Sequence, residues 1–364
     1  MKTILFITDV DFWRGGAGHR MRILHLLQFL TASTSVTIVY SGPAPADLSE
    51  KLCAVLLNRF TLVVLGDFSS VTARGSHVRD LFKGRHFNAV IVEYIHNSFF
   101  LKYLDIEDSM LILDAHDIVS DRTAEFAKFG LAGSYFELSA REELELFALY
   151  DIVLVLCQPD LEKINTLFGG RKAILCGHAS SIYQHSARDQ VRTIGFIASE
   201  YQPNIEGITF FVENCWPRLA KKYAVELAIY GNICKKLASL SGERIRLAGY
   251  REDIRAVYAE VDIVINPVRF GAGLKIKNIE AMAHGIPLVT TGHGARGLEQ
   301  GRNAAFLVAD DVFEFEAILS MLIEDPARRR QLSADAHAFI RDAFSDGGCY
   351  QPLIDILNGG QKLK

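Results

Sequence analysis

The chain has 364 residues, 49% hydrophobic and 23% charged, with a formal net charge of −4. That length exceeds one ordinary core and predicts two domains, while the charge excludes a general electrostatic grip on nucleic acid, which needs a basic face. Six scattered cysteines with no CxxC pair argue against a zinc site or a disulfide framework and predict a reducing, cytoplasmic setting. The N-terminal MKTILFITDVDFW is too short and too acidic at its end for a signal peptide, and no segment offers the ~18 uncharged apolar residues of a membrane span.

In chain order, short apolar runs recur: Ile4–Thr8, Val36–Tyr40, Leu62–Leu65, Ala89–Tyr94, Leu111–Asp114, Ile152–Leu156 and Ala173–Cys176. Helical patterns such as HRMRILHLLQFL fill the gaps between several of them. Strands apolar on both faces and alternating with helices predict a parallel sheet covered on both sides. The rhythm breaks at the polar stretch His178–Val191, a candidate linker. A second series follows: Arg192–Ile197, Glu226–Gly231, Arg244–Tyr250, Asp262–Val268, Pro287–Thr291 and Ala304–Asp310. The predicted fold class is α/β, two Rossmann-like doubly wound domains facing across a cleft. Their expected bounds are 1–185 and 190–345, with a tail at 346–364 returning towards the first domain. In such sheets ligands bind beyond the C-terminal strand ends, so the loops there are where chemistry is expected.

One such loop reads GAGLKIKNIEAMAHGIP, Gly271 to Pro287. Ile276, Ile279 and Ala283 space an apolar helix face, and Gly285 with Pro287 ends it. Gly271 and Gly273 let backbone approach a ligand, and the helix N-terminus favours a phosphate. Lys275 and Lys277 oppose the helix dipole there, a misfit that an anion relieves. Glu280, three residues after Lys277, shares its face and is placed to accept two ribose hydroxyls. Taken singly, each residue also reads as a glycine-rich turn, a surface lysine or a Lys277–Glu280 helix pair.

NPVRFGAGLKIKNIEAMAHGIPLVTT, then GARGLEQGRNAAFLVADD, resembles the C-terminal signature of retaining glycosyltransferase family 4, of the group 1 type. GFIASEYQPNIEGITFF, the first glycine loop and LDAHDIVSDR extend the resemblance over most of the chain. It implies the GT-B fold and a sugar moved from a nucleotide diphosphate, UDP favoured and GDP an alternative, to a glycan, lipid-linked or other acceptor. It implies that Glu280 holds the ribose and that Gly271, Ala272, Gly273, Leu274 and Lys275 line the diphosphate and sugar. Lys277 is a further candidate for the phosphate charge, and Tyr250 with Arg251 would flank the base. The sequence departs from the family pattern where a first glutamate is usual, since Ala272 stands there. The usual Arg and Lys after the second domain's first strand are replaced by Glu200, Tyr201 and Gln202.

Arg14–His19 joins the first strand to the first helix with Gly15, Gly16 and Gly18. It lacks the GK[ST] of a Walker loop, and Met21 stands where a dinucleotide fingerprint needs a third glycine. It resembles the family's donor-facing loop, and a plain tight turn is the other reading. His116, after Asp114, resembles the family histidine that touches the donor sugar or orients the acceptor. It ranks with Lys275 as a catalytic candidate and ahead of His96, while Arg122 reads as a surface arginine ahead of a group that meets the acceptor. Asp9-Val10-Asp11 matches a metal-binding shorthand of another architecture, so neither a metal nor another cofactor is expected. Arg74–Phe87 interleaves basic and apolar residues, which fits either peripheral docking on an anionic inner membrane face or packing on the sheet. A nucleotide-sugar 2-epimerase and a catalytically weakened nucleotide-sugar-binding protein stay open as alternatives.

Overall fold

The computed structural model describes residues 1–56, 59–133, 135–184, 188–240 and 242–359. Every predicted apolar run forms a strand. The first sheet holds β1 (Thr3–Thr8), β2 (Ser35–Tyr40), β3 (Phe60–Val64), β4 (Ala89–Glu93), β5 (Met110–Asp114), β6 (Ile152–Val155) and β7 (Ala173–Leu175). The second holds β8 (Thr193–Ile197), β9 (Glu226–Tyr230), β10 (Ile245–Gly249), β11 (Ile263–Asn266), β12 (Leu288–Thr290) and β13 (Leu307–Val308). Their orders are β3-β2-β1-β4-β5-β6-β7 and β10-β9-β8-β11-β12-β13. All pairings are parallel, with β1 bonded to β2 and β4, and β8 to β9 and β11.

Each order reverses once, between β1 and β4 and between β8 and β11. At such a point the connections leave in opposite directions and open a crevice beyond the strand ends. The central strands are buried on both faces because helices cover both sides. Leu5, Ile7, Val90, Val92 and Leu113 join the first core, and Ile194, Phe196, Ile229 and Ile265 the second.

Contacts divide the chain into one unit of Met1–Arg14, His19–His178 and Cys349–Lys364, and another of Gly15–Gly18 and Ala179–Gly348. The last helix, Asp346–Gly359, thus belongs to the first unit from Cys349 onward. There the Tyr350 ring lies 4.9 Å from Phe29 and 5.3 Å from the Arg22 guanidinium. In the linker stretch, residues 179–184 carry no regular element, residues 185–187 lie outside the described residues, and so do 360–364 of the tail.

The helix Val71–Phe82 turns Val78 and Phe82 into the first core and leaves Arg79 and Leu81 exposed. Its apolar side is therefore engaged with the sheet. Among the described residues no helix is long and apolar enough to cross a membrane. Among the described residues no two cysteines form a disulfide.

In the helix Gln202–Asn214, Gly207 packs against the end of β11, where a Cβ would lie 2.6 Å from the Pro267 carbonyl oxygen. Helix propensity alone makes Gly→Ala stabilising by roughly 1 kcal/mol. Gly207→Ala is expected to do the opposite, destabilising by about 1–3 kcal/mol through overpacking. Chemical denaturation of the two proteins checks the sign.

Candidate functional site

In the second unit the reversal point is built from two loop–helix pairs. After β11 the chain runs through Gly271 and Gly273, at φ +103° and +69°, into the helix Ile276–Ala283. After β8 it enters the helix Gln202–Asn214, and a Cβ on Gly271 would meet Pro203 of that helix at 3.2 Å. Arg269 ties the two together by pairing with Glu206 and lying 3.8 Å over the Phe210 ring. The His293 Nε2 and the Gly271 carbonyl oxygen are 2.7 Å apart, which brings in the loop after β12.

The helix Ile276–Ala283 begins at Lys275 with no side-chain cap and no acid in its first turn. Its N-terminal N–H groups are thus left without the usual side-chain acceptor. Lys275 Nζ folds back to donate to the carbonyls of Gly273 at 2.9 Å and Ala272 at 3.2 Å. Leu274 is buried and Ala272 partly so. Gly285, at φ +65°, closes the other end, with the Ile286 N–H returned to the Ala281 carbonyl at 3.0 Å.

Lys277 reaches across the reversal point. Its ammonium donates to Asn204 Oδ1 and sits 5.0 Å from the centre of the Phe196 ring on β8. The Lys277–Glu280 helix pair does not close as a direct ion pair, although Glu280 still acts on the ammonium electrostatically. Burial, with Lys275 nearby, pushes Lys277 down to about 7. Burial likewise raises Glu280 to about 7, against the pull of the Tyr258 hydroxyl and Lys277. Tyr250 and Arg251 are exposed just past β10, at the edge of the same sheet.

The first unit carries a separate polar cluster at its own strand ends. His116, two residues past β5, is buried and has φ +61°; Tyr94, just past β4, has φ +60°. Left-handed backbone at two such residues is a local cost held by the surroundings. Their rings stack at 4.1 Å, and His96 stacks on the Tyr94 ring at 5.6 Å. Each histidine is anchored through Nε2, His116 to Glu93 Oε2 at 2.6 Å and His96 to Asp9 Oδ2 at 2.9 Å. Behind them the buried Arg22 donates to Asp114 Oδ2 at 3.1 Å, the Gly177 carbonyl at 2.8 Å and Cys176 Sγ at 3.3 Å.

Burial, reinforced by Asp114, raises Glu93 to about 7 despite its bond to His116. Burial alone would lower His116, but the charge of Asp114 and the bond to Glu93 leave it raised. Glu93, Asp114 and His116 bring ligand atoms within 4.8 Å of one another. The Arg22 guanidinium lies against Asp114 and the imidazole against Glu93, so the carboxylate charge is met within the cluster.

In the DxD stretch, Asp9 also accepts from Asn97 at 3.0 Å, while Asp11 pairs with Arg20 at 2.6 Å and Arg14 at 3.3 Å. Arg122 is not the surface arginine expected from sequence. It is mostly buried and bonds to both oxygens of Asp117, at 2.8 and 2.6 Å. Gly15 and Gly16 lie in the loop before the helix Gly18–Ser33 at φ +60° and +71°, and group with the second unit. Sequence reasoning missed Asn204, His293, Glu93 and Arg22. A signal existed for the last two: Glu93 ends an otherwise apolar strand, and Arg22 lies one turn before Leu26 on the helix's buried stripe.

Residues 191–325 match the family model for glycosyl transferases group 1. That match lies within the second unit, and the two sheets have the GT-B fold. Among solved structures, the fold matches TarM of S. aureus with a TM-score of 0.79 at 10% identity, over 98% of this chain and 100% of that one. It matches HepE of Anabaena, crystallised with UDP and glucose, with a TM-score of 0.74 at 15% identity over 98% and 100%. The pneumococcal O-GlcNAc transferase GtfA, with UDP and GlcNAc, gives 0.73 at 10% identity over 99% of each chain. A curated relative, an uncharacterized 44.6 kDa protein in the cps region of Klebsiella pneumoniae, is 24% identical over 171 residues. That alignment spans 44% of this chain and less than half, 44%, of the relative.

The site's titrations predict opposite pH slopes. The folded pKa of Lys277 lies below its unfolded value, so the unliganded protein gains stability as pH rises from about 7 towards 10.5. The folded pKa of Glu280 lies above its own, so stability falls as pH rises from 4.5 towards about 7. Lys277→Met is expected to raise the unliganded Tm at pH 7 by about 2–4 °C, or ~1 kcal/mol, and to flatten the upper slope. Glu280→Gln should flatten the lower one. Thermal unfolding between about pH 5 and 9.5 checks both.

Proposed function

We propose that the chain is a retaining glycosyltransferase that moves a sugar from a UDP-sugar to a glycan or other saccharide acceptor. The observation that carries this is the Lys277 ammonium. It lies at the reversal point beside an uncapped helix N-terminus, with a neutral amide and a ring face as its direct contacts. A diphosphate supplies the missing negative charge. The choice of uridine is supported by the UDP present with three of the structural neighbours.

In this reading Glu280 accepts the ribose hydroxyls, Tyr250 and Arg251 flank the base, and the Gly271–Lys275 loop lies along the diphosphate. His116 serves the sugar or the acceptor from the first unit. The C1–oxygen bond of the donor breaks with its electron pair going to the departing diphosphate. Lys277, Lys275 and the helix N–H groups stabilise that charge more in the transition state than in the ground state. The acceptor oxygen bonds to C1 on the same face and gives its proton to the leaving phosphate. No metal is called on, since two lysines and a helix terminus supply the positive charge. Val78 and Phe82 being engaged in the core favours a soluble saccharide over docking through Arg74–Phe87.

UDP at a hundred times its dissociation constant should stabilise the protein by about 2.7 kcal/mol, and GDP and ADP at equal concentration by less. Glu280→Ala should weaken UDP at least tenfold, and the wild type should transfer or slowly hydrolyse a UDP-sugar. A panel of nucleotide sugars left intact by the wild-type protein would refute the reading.

A further inference from the structure

We infer that Glu93 is the positioning residue for His116: it holds the imidazole through Nε2, so that Nδ1 is the ring atom offered to a ligand. This rests on the glycosyltransferase reading for what the ligand is, a sugar hydroxyl or ring oxygen, but not for the geometry.

Three independent features fix the ring. The Nε2–Oε2 bond is 2.6 Å between two buried groups. Tyr94 lies flat on the imidazole, 4.1 Å away at an interplanar angle of 10°. The left-handed backbone at His116 and Tyr94 brings the residues after β4 and β5 into that stack. Residues held in such backbone concentrate where geometry serves function. A histidine that only filled space would need neither a buried carboxylate nor strained backbone at itself and at its stacking partner.

The surroundings supply charge rather than bulk. Glu93 Oε1 and Asp114 Oδ1 are sealed from solvent without a hydrogen-bond partner, so each carboxylate has one oxygen engaged and one idle. His116 Nδ1 is not sealed from solvent and makes no hydrogen bond with the described residues. Asp114 comes from β5, Arg22 from the helix Gly18–Ser33 and Cys176 from beyond β7. His19, His178 and Tyr94 interact electrostatically with the pair as well. Arg22 is spent on Asp114, Gly177 and Cys176, which leaves Glu93 to the imidazole. With the carboxylate ionised, Nε2 keeps its proton, and Nδ1 either accepts from a hydroxyl or, when the ring is charged, donates to an oxygen. This is the arrangement by which a carboxylate fixes the tautomer of a working histidine.

The test is ¹⁵N NMR of the histidine side chains in the full-length protein, wild type against Glu93→Gln, with the His116 resonance assigned from His116→Asn. In the wild type the proton of neutral His116 should reside on Nε2. Glu93→Gln keeps the shape but removes the charge, and the proton affinity of His116 should fall about tenfold or more. UDP affinity, assigned to the second unit, should stay unchanged, and an unaltered near-ultraviolet circular dichroism spectrum should report an intact first unit. The acid limb of the kcat/KM profile for UDP-sugar turnover should move with the His116 titration.

The inference is overturned if His116 titrates identically in the two proteins, if the wild-type neutral ring is protonated on Nδ1, or if the titration moves while the turnover profile stays fixed. If the wild type turns over no nucleotide sugar, the functional reading fails separately, and the NMR result alone decides whether Glu93 positions the ring.

Discussion

An ammonium group taken partly out of water without a direct carboxylate partner is expensive, and the second unit is organised around one. Lys277 is reached by an amide and a ring face, and its neighbour Lys275 adds repulsion that Glu280, without a direct ion pair, offsets only in part. Parts of the same polypeptide hold that charge in place: the loop after β11, the helix after β8 and the His293 contact beyond β12. A structure seldom keeps such a cost without a counter-charge arriving from outside. The diphosphate reading follows from this imbalance more than from any single motif.

The first unit solves the opposite problem. It buries two carboxylates, one guanidinium and one imidazole at the ends of β4 and β5, and the charges nearly cancel within the cluster. The second unit's site therefore keeps a charge without a direct carboxylate partner, while the first unit's network is nearly balanced and holds a ring. Both lie beyond the C-terminal ends of parallel strands, because only there do loops and helix starts bring side chains together without breaking the sheet.

The architecture was legible because its strands are apolar on both faces and the intervening patterns are helical; all thirteen runs appear as strands. The GAG loop and its helix were legible as well, since glycine spacing and misplaced lysines are local properties. What escaped were contacts that depend on strand order. Asn204 and Lys277 are 73 positions apart and meet because β8 and β11 are neighbours. Glu93 and His116 meet because β4 and β5 are. Arg122 reads as a surface arginine from its own stretch, since its buried pairing with Asp117 depends on how the chain turns after β5. Arg22 hid for a different reason: an arginine in a polar-looking opening turn reads as solvated unless its phase against Leu26 is checked.

The return of the last helix to the first unit has a consequence for how the molecule is made. The second unit is a continuous insertion within the first, apart from the short Gly15–Gly18 loop, and its sequence ends before that helix leaves the ribosome. The unit begun first is therefore finished last. Arg22 and Phe29 wait for Tyr350 until the whole second unit has been made. Shortening the chain from its C-terminus would thus strip packing from its N-terminal half and spare the sequence of the domain that directly precedes the cut.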